Sequence, residues 1–531
     1  MIVNSPSLNF LFYRSSLSKQ LFKSTAIVGG MTMVSRITGF IRDMLFANIF
    51  GVNAATDAFF VAFKIPNFLR RLFAEGAFAH AFVPAITDFI KTGNRTALKE
   101  FVDKTAGTLA VIQLGVTVVG IIAAPLLIIV FAPGFYWEGG QFDLAVKLLK
   151  ITFPYLLFIF LTGLSGGILN AHGKFAVPAI TPVFLNIAMI IAAVWISPMM
   201  DEPILALAWG VFAAGLLQLL FQIPALLQLG LMPKLRWGLN DVAVKRMFSA
   251  MLPAIFGVSV VQINLLIDTL FASFLSSGSV SWLYYSDRLV EFPIGIFGVA
   301  VSTVILPSLA NTHAAADTLN FSKALDWGLK LVILIGLPAT LGLTQMSEPL
   351  LSTFFQYNEF DAHDVEMTAK SLMAFASGLL AFILIKVLVP GFTSRLDTKT
   401  PARFGMYAIY SNLILNALLF IPLAHAGPAL ATTLSAYLNA GLLLLTLLKD
   451  KIYQPCTGWG VFLFRIVLAS AVMGIFLGYF VDVSAWLSWG VSQRSLHLGL
   501  VVVTAILIYI LALFVLGMRP RHIMGNPAAS E

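Results

Sequence analysis

Ser35-Arg36-Ile37-Thr38-Gly39-Phe40-Ile41-Arg42-Asp43-Met44-Leu45-Phe46-Ala47 lies inside a long apolar run, yet it carries two arginines and an aspartate. Its last five residues return as Asp268-Thr-Leu-Phe-Ala272, 225 residues later. The aromatic pair Phe59-Phe60 returns at the same offset as Tyr284-Tyr285. Val83-Pro84-Ala85-Ile86 matches Leu306-Pro307-Ser308-Leu309, and Val177-Pro178-Ala179 matches Thr400-Pro401-Ala402, both 223 residues on. Four matches at nearly one offset mark an internal repeat, and six apolar stretches fit in one period. An even number of spans per copy returns the second copy to the membrane in the orientation of the first, as in transporters whose halves are related by an axis along the membrane normal. The repeat therefore predicts an all-α membrane protein with two six-helix lobes facing each other across a central cavity.

Composition agrees. The chain has 531 residues, 59% of them hydrophobic and 11% charged, and a mean hydropathy of +0.91, more apolar surface than one water-soluble core can hide. A span needs about 20 apolar residues. Fourteen helices are expected, at 25–50, 55–90, 104–133, 143–171, 175–198, 203–229, 245–276, 279–311, 322–355, 363–394, 400–424, 427–448, 459–482 and 496–518. They divide the chain into a segment 1–24, an N-lobe 25–229, a linker 230–244, a C-lobe 245–448, two extra helices within 449–518 and a tail 519–531. Residues 1–24 hold Arg14, Lys19 and Lys23 but no apolar core before a small-residue cleavage site, so no removable signal is read and the first span should direct insertion. Cys456, the single cysteine, excludes an intramolecular disulfide and CxxC chemistry.

The formal charge of +8 is explained by topology rather than by nucleic acid. Alternate loops hold Lys91, Arg95 and Lys99, then Lys174, then Lys234, Arg236, Lys245 and Arg246, then Lys323, then Arg395, Lys399 and Arg403, then Lys449 and Lys451. The intervening loops carry Glu138, Asp201, Glu202, Glu359, Asp361, Asp364 and Glu366, with Arg494 the exception. The positive-inside rule then places both termini in the cytoplasm, since Arg14, Lys19, Lys23, Arg519 and Arg521 join the basic set.

What remains is a set of ionisable groups at membrane depth, where each costs several kcal/mol unless it lines a protein interior or a water-filled path. Helix one carries Arg36, Arg42 and Asp43; helix two carries Asp57, Lys64, Arg70, Arg71 and Glu75; helix eight carries Asp287, Arg288 and Glu291. At about 100° per residue, Arg36 and Asp43 share a face of helix one. Asp57, Lys64 and Arg71 make a stripe on helix two, with Asn67 and Arg70 beside it, and Asp287, Arg288 and Glu291 can cluster. Pro66 should kink helix two, and Gly76 and Pro293 are further weak points. Arg36, Arg42, Lys64, Arg70 and Arg288 outnumber Asp43, Asp57 and Asp287. The ligand is therefore expected to be an anion, and guanidinium forks suit the oxygens of a pyrophosphate. The alternative reading is that these groups are paired buried ions or snorkel to the interface.

These blocks resemble the MurJ family of lipid II flippases, within the MOP exporter superfamily that includes the MATE drug exporters. The resemblance is densest in Ser35 to Asp43, in Ala55-Thr-Asp-Ala-Phe-Phe-Val-Ala-Phe-Lys-Ile-Pro-Asn67, in Leu69-Arg-Arg-Leu-Phe-Ala-Glu-Gly-Ala-Phe78 and in Gly278 to Arg288 running on to Pro293. It implies that Arg36, Arg42, Arg70 and Arg288 are cavity arginines needed for flipping, with Asp43, Asp57, Lys64 and Asp287 in the same cavity. It also implies that the extra helices border a groove for the polyprenyl tail. The implied partners are lipid II, an undecaprenyl-diphosphate-linked muropeptide, membrane lipids and other cell-wall synthesis proteins.

No cofactor is expected. Drive is expected from the membrane potential or from a coupling cation, for which Asp268 with Asn412, Asn416 and Thr432 is a candidate sodium site of oxygen ligands. A carboxyl group hydrogen-bonded to amides is the competing reading of those four residues. A MATE-type exporter of organic cations would need the opposite cavity sign, and a flippase for another polyprenyl-diphosphate sugar stays open. A membrane enzyme is disfavoured, because Walker A, HExxH and GxSxG patterns are absent and the histidines are scattered.

Overall fold

The computed structural model describes residues 6–137, 140–315 and 317–519, without the side chains of 6–26 and of scattered positions in helices two, seven and eight. The expectations placed on Glu138 and Arg521, and on the side chains of Arg14, Lys19, Lys23 and Glu75, lie outside the described residues. Every regular element among them is helical, and each of the fourteen expected stretches falls on helix. Nine rods are long and apolar enough to cross a membrane by length and composition: helices three to six, nine, ten and twelve to fourteen. Helices one, two and eight, which carry the intramembrane charges, are not among them. The count of fourteen spans stays an expectation.

Several helices start earlier than their apolar runs. Helix one begins at Pro6 rather than 25; proline suits a first helical position, and no glycine or further proline interrupts before Gly29. Helix three starts at Arg95 rather than 104, because Asn94 caps it by accepting from Ala97 N. Asp241 accepts from Ala243 N and Val244 N ahead of Val242, and Asp317 accepts from Asn320 N ahead of Thr318. Caps, not apolarity, set these boundaries. Asp241 also receives the Lys104 ammonium at 2.8 Å, which holds its carboxyl below the usual carboxylate range.

By their internal contacts the residues divide into two compact units: 1–46, 62–128 and 142–259, and 47–61, 129–141 and 260–531. In the first, helix six packs on helices four and five, and Phe82 stacks against Phe78 and Phe101 with ring centroids 5.0 and 6.0 Å apart. Pro66 has no amide hydrogen to give to the Ala62 carbonyl one turn back; the Thr152 hydroxyl donates to that carbonyl, at 3.4 Å. A turn later helix two widens into a π-helical run, Arg70–Phe78. Helix eight does the same at Ile294–Gly298, directly after Pro293. These two π runs start 224 residues apart, at the offset of the repeat, whereas a third, Ala192–Ile196 in helix five, has no match in helix eleven.

In the second unit, helices thirteen (Trp459–Phe480) and fourteen (Val491–Val515) pair with each other and dock on helix nine. Apolar burial drives little association within hydrocarbon, so polar fasteners matter, each contributing roughly 0.6–2 kcal/mol. Three are present. Pro338 leaves the Leu334 carbonyl without its helical donor, and the Tyr509 hydroxyl donates to it at 2.7 Å. Buried Asp326 accepts from Tyr453 Oη, Trp459 Nε1 and Cys456 N, and pairs with Lys330, fixing the loop into helix thirteen. Buried Arg494 donates to the carbonyls of Trp486, Leu487, Ser352 and Gln356. Arg494, the exception to the loop charge pattern, is thus a cap on helix C-terminal carbonyls. Between these helices, helix nine and Pro293 and Phe297 of helix eight runs an apolar groove of about 720 Å³, ending at Arg519.

Candidate functional site

Arg42 and Asp43 are buried, at 6% and 1% exposure, in the first unit. Arg42 Nε and Nη2 donate to Asp43 Oδ1 at 3.0 and 2.7 Å, and Nη1 donates to Asn186 Oδ1 at 2.9 Å. Asn186, on helix five, gives its amide hydrogens to Ser35 O and Thr38 Oγ1. The ring of Phe46 lies 5.7 Å from the guanidinium. Arg36 is half-buried on the same helix. Sequence reading missed Asn186, although a polar residue inside the apolar run Ala176–Ile191 meets the criterion that singled out the arginines.

On helix two, Lys64, Asn67, Arg70 and Arg71 are half-buried, and Arg70 Nε donates to Asn67 Oδ1 at 3.2 Å. Arg70 opens the π run, a deformation often found at functional sites. Asp57 belongs to the second unit and is 1% exposed. Its carboxylate accepts from Gly278 N at 2.6 Å and from Ser281 N and Oγ at 2.8 and 2.5 Å. In this conformation Asp57 is a latch on the start of helix eight, backed by Phe60 stacked on Tyr284 at 3.9 Å. Ser281 lies in a block quoted above, but nothing in its own sequence marked it as the partner.

Helix eight carries Arg288, half-buried, ion-paired with Glu291 at 2.7 Å and placed 4.8 Å from the Tyr284 ring. Asp287 is half-buried beside it. Arg36, Arg42, Asp43, Lys64, Asn67 and Arg70 therefore belong to one unit, and Asp57, Asp287, Arg288 and Glu291 to the other.

The four residues of the candidate cation site do come together. Asp268, 5% exposed, accepts from Thr432 Oγ1 at 2.6 Å, Asn416 Nδ2 at 3.0 Å and Asn412 Nδ2 at 3.4 Å. Asn412 Nδ2 also donates to Thr432 Oγ1 at 2.9 Å. The geometry displayed is a carboxylate hydrogen-bonded to amides, with Asn412 Oδ1 and Asn416 Oδ1 buried and lacking a hydrogen-bond partner among the described residues. Among the described residues no group of three or more His, Cys, Asp or Glu could hold a metal ion.

The sequence model of the family described as lipid II flippase MurJ matches residues 46–498. A probable lipid II flippase MurJ of Vibrio cholerae serotype O1 is 46% identical over 519 residues, covering 96% of this chain and 99% of the relative. The lipid II flippase MurJ of Burkholderia cenocepacia is 44% identical over 460 residues, covering 85% and 89%. A solved structure, lipid II flippase MurJ in an inward closed conformation, superposes with TM-score 0.78 at 29% identity, covering 92% of this chain and 98% of that one. An inward-facing MATE family transporter shares the fold, with TM-score 0.63 at 12% identity, covering 80% and 98%.

Proposed function

We propose, because this chain belongs to the MurJ family of lipid II flippases, that it carries lipid II from the cytoplasmic to the periplasmic leaflet of the bacterial inner membrane. It is a multi-pass membrane protein and a transporter rather than an enzyme; no bond of the cargo is made or broken. The observation that carries the reading is Arg42, a guanidinium buried on helix one and bonded there to Asp43 and Asn186. Arg36, Arg42 and Arg70 of the first unit are the bidentate donors for the diphosphate, and Arg288 of the second carries the same donor chemistry. Asp43 and Glu291, each already paired with an arginine, temper that charge so that the headgroup can leave as well as enter.

Transport proceeds by alternating access, with both termini cytoplasmic and the polyprenyl tail remaining in hydrocarbon along the groove beside helices thirteen and fourteen. The membrane potential acts on any charge moved, about 2.3 kcal/mol per elementary charge per 100 mV. The Asp268 cluster suits a sodium ion in its donor types: one carboxylate, one hydroxyl and two amide oxygens that have no partner. Asp268, Thr432, Asn412 and Asn416 would hold it once the two amides turn. The ion would add a positive charge to the C-lobe and so bias the conformational equilibrium.

The test is depletion in the native host with a probe for lipid II in the outer leaflet. Outward lipid II should disappear on depletion and return with the wild-type chain. Normal accessibility after depletion, with no second flippase present, overturns the proposal.

A further inference from the structure

We propose that Asn186 is a positioning residue for anion binding, fixing the plane and the charge of the Arg42 guanidinium from the opposite side to Asp43. The proposal rests on the reading in which Arg42 receives the diphosphate. Asp43 takes Nε and Nη2 of Arg42 on the same oxygen, Oδ1. Helix five meets the guanidinium at Nη1, which donates to Asn186 Oδ1 at 2.9 Å and lies 3.9 Å from Met189 Sδ. Sulfur is the weaker acceptor, so Asn186 is the strong acceptor on that side and, with Asp43, fixes the plane.

The direction of the Asn186 amide is itself decided by its neighbours. Its Nδ2 faces the Ser35 carbonyl at 2.9 Å and Thr38 Oγ1 at 3.2 Å. The Ser35 carbonyl can only accept. The Thr38 hydroxyl gives its hydrogen to the carbonyls of Val34 and Ser35, so toward Asn186 it too accepts. Both contacts demand N–H, which leaves Oδ1 facing Arg42. Asn186 is 6% exposed, so a wrong amide orientation would bury a donor against a donor.

A neutral acceptor is also the required chemistry. A carboxylate at 186 would hold the same guanidinium but place a second negative charge beside Asp43, turning the cluster net negative where an anion must bind. An amide orients Arg42 without cancelling its charge, and it ties helix five to helix one at the same time. Asn186 thus acts through Arg42 and need not touch the ligand.

The experiment is a double-mutant cycle on the full-length protein in lipid nanodiscs, reading the affinity for undecaprenyl diphosphate, with thermal unfolding recorded in parallel. Asn186→Leu should weaken binding about tenfold, the scale of one hydrogen bond to a charged group, and should change it less than about twofold in an Arg42→Ala background. Asn186→Asp, equal in size, should weaken binding at least as much as Asn186→Leu. Should Asn186→Leu fail to fold, the isosteric Asn186→Asp carries the same cycle. Equal losses in the wild-type and Arg42→Ala backgrounds, or unchanged affinity in Asn186→Asp, overturn the positioning role while leaving the function standing. Unchanged affinity in Arg42→Ala alone overturns the diphosphate reading and this proposal with it.

Discussion

Asp43 and Asp268 occupy the same place in the two copies of the repeat, and each cluster includes asparagine from the fifth helix of its own copy, yet Asp268 meets its asparagines directly whereas Asn186 reaches the first cluster through Arg42. In the first copy Arg42 precedes the aspartate, takes its carboxylate and draws the oxygen of Asn186. In the second copy Ile267 stands in that position. There the amides of Asn412 and Asn416 turn their nitrogens to the carboxylate and leave their oxygens buried. The acceptors around each amide decide which way it faces: the Ser35 carbonyl and the Thr38 hydroxyl take the hydrogens of Asn186, and the Asp268 carboxylate takes those of Asn412 and Asn416. In the first copy the acid is paired with a guanidinium; in the second it is surrounded by neutral hydrogen-bond donors.

The largest effect should come from reversing the sign of the first cluster. Arg42→Glu sets a carboxylate against Asp43 and Asn186 Oδ1, and flipping should fall by at least about 100-fold, the scale of losing a buried charge-assisted pair. Complementation should fail while the protein is still recovered folded from membranes; robust growth on Arg42→Glu would make the arginine a structural ion. Next, Asp268→Leu strands the hydrogen atoms of Asn412, Asn416 and Thr432, and thermal unfolding should show a loss of about 2–4 kcal/mol. If the cluster also takes sodium, a sodium-dependent stabilisation of the wild type should vanish in the variant. Transport unchanged across sodium concentrations in both proteins would reduce the second cluster to hydrogen bonding alone.

Neutralising the two equivalent aspartates should then pull in different directions. Asp43→Asn removes the charge that tempers Arg42, so undecaprenyl diphosphate should bind about fivefold tighter, near 1 kcal/mol, with slower release. Asp268→Asn should leave that affinity within about twofold, its charge having no arginine beside it in sequence. Matching shifts in both variants would erase the distinction between the copies. Stability should separate the two threonines. Thr432→Val loses a hydrogen bond to a carboxylate, about 1.5–3 kcal/mol, whereas Thr38→Val loses an acceptor for a neutral amide, about 1 kcal/mol, both read by thermal unfolding.

Much of this was legible in the chain. The charges on helices one, two and eight stand out because an apolar helix makes any ionisable residue conspicuous, and the repeat stands out because its matches share one offset. Asp57 shows where that legibility stops. Its seven-residue spacing to Lys64 reads as a ligand stripe, whereas the structure closes its carboxylate with amides 221 and 224 residues away. Arg494 reads as a misplaced loop charge, and only the four carbonyls around it show that it ends helices. The early helix starts at Arg95, Val242 and Thr318 escaped for a local reason: a preceding Asn94, Asp241 or Asp317 accepts from the first-turn amides, and apolarity alone passes over caps.

The sequence by itself determined the helical membrane class, the duplication and the sign of the intramembrane charge. Each is a property of composition or period, and such sums survive without knowledge of contacts. Only the tertiary structure decided which partner each charge takes. Hydrogen bonds act over about 3 Å and depend on direction, so the pairing of Arg42 with an amide 144 residues away, and the opposite turn of the amides at Asp268, exist only once the helices are packed.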